Sequence, residues 1–370
     1  MTGKKIVLTG GHAATMAISV VEEIIRRGEN GKFQQIFWLG SPKAIEGTDI
    51  PTTESIVLPK LGVNYIPITA GRIQMKFTRW TVHSLFKIPI GFFDSCRILR
   101  RIRPDIILSF GGFSAFPVAV IGKMMNIPVV IHEQTTAVGR ANKYATFCAT
   151  KIALARDSSR KYFPNSKCVL VGNPILTQVT EVAQKMKPEA PPVIYITGGS
   201  RGSQVLNKAI EEILISLLGD YFVIHNTGRI DYSRFVKIKD QLPEGLRDKY
   251  EIYSFIDPMK IDNIFRQADV LISRAGAASV SEIIVTKRPA VLIPIPWSYG
   301  DEQTKNAEYA EKLGLVKIIK QDELTGERLL KETKLLIDNY VTIASKLKNY
   351  ISQDISASFK LVNLLEENLK

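Results

Sequence analysis

Apolar and polar positions alternate along this chain in blocks. Short apolar runs rich in β-branched residues are each followed by a turn, and then by a stretch with apolar residues at helical spacing. The first block runs from a strand over Lys4–Thr9 through the turn Thr9-Gly10-Gly11-His12 into a helix over 13–27, the opening of a βαβ unit. Further apolar runs at 35–39, 105–110, 128–132 and 151–155 predict strands, with helical segments between several of them. Around Gly172-Asn173-Pro174 the pattern stops, and 184–192 (QKMKPEAPP) is polar and proline-rich, as a linker or loop between domains is. A second series restates the first: a strand over 193–197, the turn Gly198-Gly199-Ser200-Arg201-Gly202-Ser203 and a helix over 205–218. Strands over 221–226, 251–254, 269–273, 290–294 and 315–319 complete it. From Glu327 the pattern is helical to the end, and 355–369 is long enough to pack back on the first domain. This alternation predicts an α/β protein with two parallel sheets, each carrying helices on both faces, and two such halves form a cleft.

Length agrees with that division, since 370 residues are many for one hydrophobic core and suit two domains. Charge adds a partner class. Lys and Arg number 49 against 36 Asp and Glu, a net +13, which favours an acidic partner: a nucleic acid, an anionic lipid surface or phosphorylated substrates. Cys96, Cys148 and Cys168 are scattered and odd in number, so reduced thiols in a cytosolic compartment are the simplest account. With four histidines, a multi-ligand metal site is not expected either. The start MTGKKIVLTGG runs straight into a strand and is not a signal peptide. No window reaches the roughly 20 apolar residues of a spanning helix, so membrane contact is expected to be peripheral.

Candidate chemistry collects at the carboxyl ends of the strands, where open parallel sheets hold ligands. The stretch 271–282 (LISRAGAASVSE) is the most telling: a buried strand, a small-residue turn, and a helix with Ser279, Ser281 and Glu282 in its first turn. A helix start offers unpaired N–H groups and a partial positive charge to an anion, and Gly276 lets a phosphate come close to the backbone. Glu282, one turn in, is placed to accept from two sugar hydroxyls. Asp301, Gln303 and Asn306 follow the strand over 290–294 and reach the same edge. In the first half the candidates are Gly10-Gly11-His12, Gly111-Gly112-Phe113-Ser114 and His132-Glu133-Gln134. Glycine pairs after strands are commonly only turns, and Ser114 reads equally well as a helix cap. A polar triple directly after a buried apolar run must find partners or face a cleft.

Between Arg72 and Arg103 eight Lys or Arg stand against the single acid Asp94. Arg72, Lys76, Arg79 and His83 form a basic stripe at helical spacing, and Ile73, Phe77 and Trp80 follow one position on, as an apolar stripe beside it. This is the pattern of an interfacial helix on an anionic membrane surface, and the aromatic density continues through a loop expected at 87–93. A helix packed on a sheet with a solvated basic face gives a similar pattern. A nucleic acid is not expected as partner, because convergent glycine turns replace the basic and aromatic groove it needs.

Thr9-Gly10-Gly11-His12, the Gly-Gly-Phe turn at Gly111, His132-Glu133-Gln134 with Gly139 and Asn142-Lys143, Gly172-Asn173-Pro174, GGSRG at Gly198, SRAGAASVSE and DEQTKNA at Asp301 occur in one order. In that order they resemble the MurG-type N-acetylglucosaminyltransferases of bacterial peptidoglycan synthesis, glycosyltransferase family 28, across nearly the whole chain. The combination is far more specific than any one motif. The resemblance implies the GT-B fold, two Rossmann-like domains around a cleft with a C-terminal helix returning to the first. An acceptor- and membrane-binding domain would span 1–172 with 350–370 packed on it, and a UDP-GlcNAc-binding domain 173–349. It implies inverting transfer of GlcNAc from UDP-GlcNAc to the C4 hydroxyl of undecaprenyl-diphosphate-linked N-acetylmuramoyl-pentapeptide. The enzyme would be peripheral on the cytoplasmic side of the cell membrane, and would serve cell-wall biogenesis, cell shape and cell division.

Carried over by position, the resemblance puts Ser200 and the Gly199 region at the diphosphate and the Ile256 backbone at the uracil. Ala277, Ala278, Ser279, Val280, Ser281 and Glu282 then hold the diphosphate and ribose, and Gln303 the donor sugar. Thr9, Gly10, Gly11 and Thr135 join the substrate-binding set, with His12 or Glu133 as the general base. No cofactor is required; a divalent cation would at most stimulate, because helix termini can do a cation's work. Five positions depart from the family pattern: Val7-Leu8 replace two glycines, Thr15 a proline, Thr135 an asparagine and Leu176 an arginine near the donor. A related transferase with another membrane acceptor such as diacylglycerol, and a UDP-sugar-binding protein without turnover, are the alternatives these departures keep open.

Overall fold

The computed structural model describes residues 3–11, 13–43, 51–69, 71, 79–199 and 202–369, with the side chains of 79–86 outside the description. The chain divides into two compact units, Met1–Leu176 with Gln353–Lys370, and Thr177–Ser352. The first holds a seven-stranded sheet of β1 (Lys4–Thr9), β2 (Phe33–Gly40), β3 (Asn64–Pro67), β4 (Ile106–Ser109), β5 (Val129–Glu133), β6 (Lys151–Leu154) and β7 (Cys168–Leu170). Its spatial order is β3-β2-β1-β4-β5-β6-β7, with every pair parallel. The second holds β8 (Val193–Thr197), β9 (Phe222–Asn226), β10 (Tyr250–Tyr253), β11 (Val270–Ser273), β12 (Ala290–Leu292) and β13 (Val316–Ile318). Their order is β10-β9-β8-β11-β12-β13, again all parallel.

Central strands carry apolar runs because helices cover both their faces: Ile6, Val7 and Leu8 have no exposed surface, nor have Val270 and Ile272. The sequence pattern therefore found them. It missed β3 and β7, the edge strands, whose residues are mostly half-exposed and form no apolar run.

Three expectations are corrected. The segment 184–192 is no linker but part of the second unit, fastened beneath its sheet. Asp269, fully buried, accepts from Lys185 Nζ at 2.9 Å, the Val193 N–H at 2.8 Å and the Glu189 N–H at 3.3 Å. No loop occurs at 87–93 either, because the Arg79–Ile102 helix runs through it with Pro89 inside. A proline removes one helical hydrogen bond. Packing keeps the helix continuous there, with Phe92 edge-on to Phe116 and Leu99 and Ile102 in the core. Finally, the C-terminal pattern is broken. The Gly326–Asp338 and Tyr340–Lys346 helices belong to the second unit, turns and extended chain occupy 347–352, and the Ala357–Glu367 helix belongs to the first.

That last helix packs on the Ala14–Arg27 helix, where Arg27 donates to Glu366 at 2.9 Å and to Asn363 Oδ1 at 2.7 Å. Just before it, Asp354 is buried and takes both arms of buried Arg156, at 2.6 and 2.7 Å, together with the Asn173 N–H at 2.8 Å. No helix among the described residues is long and apolar enough to cross a membrane.

Candidate active site at the strand-order reversals

Each sheet reverses its strand order once, between β1 and β4 in the first unit and between β8 and β11 in the second. Chains leaving adjacent strands in opposite directions open a crevice at their carboxyl ends, the usual ligand position in such sheets.

In the first unit the two glycine turns meet there. The Gly11 N–H donates to the Gly111 carbonyl at 2.9 Å, and Ser114 Oγ donates to the Gly10 carbonyl at 2.9 Å. Gly112 has φ +90°, and a Cβ on it would lie 2.9 Å from Gly11 N, so only glycine fits. Gly112→Ala is expected to cost about 1–3 kcal/mol and to lower the melting temperature. A melt matching the unsubstituted protein would show that the two turns can part.

Around this frame the polar side chains are already committed. Thr9 Oγ1 donates to the Leu39 carbonyl at 2.8 Å. Glu133, 1% exposed, accepts from the Thr135 N–H at 3.2 Å, Thr135 Oγ1 at 3.0 Å, the Gly139 N–H at 3.2 Å and Asn142 Nδ2 at 2.9 Å. Burial pushes its pKa up against the pull of those donors. Its neighbour His132 is fully buried, held neutral with a pKa lowered to about 4 by burial, and hydrogen-bonded through Nε2 to the Gly172 carbonyl at 2.9 Å. Glu133 and Thr135 thus brace the loop from 134 to 142 and present no free group.

The second unit is different, because here a carboxyl has no donor and a buried cation no carboxylate among the described residues. The Ala277–Thr286 helix begins after Gly276, which caps it with no side chain. Val280 and Ser281 face the interior, leaving the backbone of Ala277, Ala278 and Ser279 at the helix start; Ser281 and Glu282, expected in the first turn, lie in the second, because the helix begins only at Ala277. The Glu282 carboxyl accepts no hydrogen bond from any described residue, and burial alone raises its pKa to about 8. Beside it, burial and then the Glu282 charge push the Tyr195 hydroxyl up. Across the reversal, Arg274 is 7% exposed and donates to Ser203 Oγ at 3.0 and 2.8 Å and to the Ile293 carbonyl at 3.1 Å. Burial lowers its pKa to about 10, so it stays charged at neutral pH, with no carboxylate partner among the described residues.

Ser203 also caps the Gln204–Asp220 helix by accepting the Leu206 N–H, so Arg274 fastens the Gly198–Ser203 turn to the end of β11. Gln303 completes the edge. Its Oε1 accepts the N–H groups of Ala275 at 3.3 Å and Ile295 at 3.1 Å, which orients the amide and leaves Nε2 as a donor with no acceptor among the described residues. Further along, Ile256 lies in extended chain after β10, and neither its N–H nor its carbonyl is hydrogen-bonded to a described residue.

Among the expected site residues, His12, Ser200, Arg72, Ile73, Lys76 and Phe77 lie outside the described residues, as do the side chains of Arg79 and Trp80. Arg274 and Ser203 were not picked out as functional from the sequence. The signal was present: a lone cation inside an otherwise small and apolar run needs a reason to be there.

Residues 8–154 match the glycosyltransferase family 28 N-terminal domain and residues 193–360 the family 28 C-terminal domain. Over 362 residues the chain is 31% identical to the UDP-N-acetylglucosamine--N-acetylmuramyl-(pentapeptide) pyrophosphoryl-undecaprenol N-acetylglucosamine transferase of Clostridium botulinum, covering 93% of this chain and 95% of that one. The chain belongs to glycosyltransferase family 28. A transferase of the same description from Lachnoclostridium phytofermentans is 32% identical over 375 residues, 98% of this chain and 99% of its own. Among solved structures, MurG of Acinetobacter baumannii superposes with a TM-score of 0.68 at 24% identity, over 98% of this chain and 99% of that one. A UDP-GlcNAc 2-epimerase of Neisseria meningitidis, bound to UDP-GlcNAc, reaches 0.67 at 12% identity over 98% and 100%. At these identities the structural likeness speaks for the fold alone, and it bears out the expected pair of Rossmann-like domains.

Proposed function

We propose that this family 28 chain transfers N-acetylglucosamine from UDP-GlcNAc, with inversion, to the C4 hydroxyl of undecaprenyl-diphosphate-linked N-acetylmuramoyl-pentapeptide. The observation that carries the donor half is that two groups flank one helix start, each lacking a charge or hydrogen-bond partner among the described residues: Arg274, buried, just before the Ala277–Thr286 helix, has no carboxylate, and Glu282, in the second turn of the helix, has no donor to its carboxyl. A nucleoside diphosphate supplies both missing partners. Its diphosphate accepts from the N–H groups of Ala277, Ala278 and Ser279 and from the Gly199 region, within the field of Arg274, and its ribose hydroxyls donate to Glu282. A uracil edge offers one donor beside one acceptor, the complement of the free N–H and carbonyl of Ile256. Gln303 Nε2 addresses a hydroxyl of the sugar.

In the transfer, the acceptor hydroxyl attacks the anomeric carbon as the bond to UDP breaks on the opposite face, and negative charge grows on the departing diphosphate. Fixed N–H dipoles and a buried cation aimed at that charge stabilise the transition state more than the ground state. The acceptor is assigned to the first unit, and the base to His12 on its motif. Glu133 and Thr135 are assigned a positioning part. Incubation with radiolabelled UDP-GlcNAc and the lipid acceptor tests the proposal: labelled lipid-linked disaccharide is expected, and binding of UDP-GlcNAc without labelled lipid would count against this acceptor.

A peripheral place on the cytoplasmic side of the membrane is part of the same reading. Phe93 is 69% exposed on the Arg79–Ile102 helix, with Ile90 exposed beside it; Lys87 precedes them and Arg97, Arg100 and Arg101 follow on the same helix. Apolar side chains among cations suit an anionic headgroup boundary. Replacing Ile90 and Phe93 by Ser is expected to cut co-sedimentation with anionic vesicles severalfold while UDP affinity stays unchanged. Equal sedimentation would remove this surface from the membrane reading.

A further inference from the structure

The loop after β12 carries a feature that donor binding as described does not use. A β-turn over 295–298 closes from the Ser298 N–H to the Ile295 carbonyl at 3.3 Å, with Pro296 where a fixed φ favours a turn. Both sides of the turn are fastened to Gln303. The Ile295 N–H donates to Gln303 Oε1 at 3.1 Å, and the Gln303 N–H donates to Ser298 Oγ at 3.2 Å. Through the same Oε1 the turn is tied to Ala275, at the entry of the Ala277–Thr286 helix. At its tip stands Trp297, 62% exposed, between exposed Pro296 and Tyr299.

A scattered exposed apolar residue needs no explanation. A tryptophan held this rigidly, two residues past a backbone N–H bonded to the sugar-orienting amide, does. We propose that Trp297 is a stacking platform for the hexopyranose ring that Gln303 addresses, and that the turn sets selectivity for that sugar. The inference rests on the transferase reading above. A pyranose presents hydroxyls at its rim and a patch of C–H bonds on its face. The Gln303 amide meets the rim as a donor, and the electron-rich indole meets the C–H face, where its large flat area is removed from water. Pinning the turn on both sides means that little side-chain or loop freedom is lost on binding.

The source of the ring is the donor N-acetylglucosamine or the acceptor sugar, and separate arms tell them apart. Calorimetric titration of the unsubstituted protein with UDP-GlcNAc tests the transferase reading itself: failure to bind overturns that reading whatever Trp297 does. In Trp297→Ser, UDP affinity is expected to equal that of the unsubstituted protein, with UDP-GlcNAc affinity about fivefold weaker and largely restored in Trp297→Phe. Unchanged donor affinity with about a fivefold higher KM for the lipid acceptor would support the platform and assign it to the acceptor ring. Unchanged donor affinity and acceptor KM would overturn the proposal, and so would an equal loss for UDP, which would mark a merely structural side chain.

Discussion

Glu282→Gln is expected to stabilise the ligand-free protein at pH 9 and, in the same molecule, to weaken UDP binding about tenfold to a hundredfold. The stability half follows from linkage. A glutamate ordinarily titrates near 4.5, and burial raises Glu282 to about 8, so between those values the folded state keeps a proton that the unfolded chain has released. Stability from this group is whole below about 4.5 and declines as pH rises towards 8. Glutamine is neutral throughout, so its melting-temperature advantage should be absent at pH 4, grow across that window and level off at pH 9. The binding half has the opposite sign. Ribose hydroxyls donate to the carboxylate, so the unsubstituted protein should gain UDP affinity as pH approaches 8, and the variant should not. Melting curves and calorimetry at pH 6 and pH 9 measure both. Equal UDP affinities at pH 9 would take the ribose away from Glu282.

Asp354→Ala is expected to cost about 3–5 kcal/mol of stability, because it takes away the carboxylate that both arms of the buried Arg156 guanidinium and the Asn173 N–H share. Urea unfolding should show the loss. The double variant Arg156→Met, Asp354→Leu removes both charges and should recover most of it, since a buried ion pair gains little over apolar packing of similar volume. A loss below about 1 kcal/mol in the single variant would mean that water reaches Arg156. UDP affinity should be unaffected, because no residue assigned to UDP lies in this network.

Legibility from sequence tracked burial. Strands buried on both faces, such as β1, β5 and β11, appear as unbroken apolar runs, whereas β3 and β7, half-open at the sheet edges, do not. The stretches 87–93 and the proline-rich 184–192 were read as a loop and a linker, and in each case tertiary contacts overrode the local signal: Phe92 on Phe116, and Asp269 on three donors. In the site, sequence identified residue types well and their availability poorly. Glu282 and Glu133 are both carboxyls near strand ends, yet among the described residues one has no donor and the other has four contacts. Only three-dimensional neighbours separate an idle group from a committed one. Arg274 shows the same limit, since its want of a counter-charge cannot be seen in a string.

The return of the C-terminal helix bears on how the molecule is made. The ribosome delivers the first unit's sheet early, then all of Thr177–Ser352, and only afterwards the segment from Gln353 that contains Asp354. Domains close in order of synthesis when they can. Here the second unit, whose chain is continuous, can finish while the first still waits for the carboxylate that Asp354 brings to Arg156, with one side of the Ala14–Arg27 helix uncovered. The unit begun first is the last completed, and the nascent chain is most dependent on chaperone cover just before its final helix emerges.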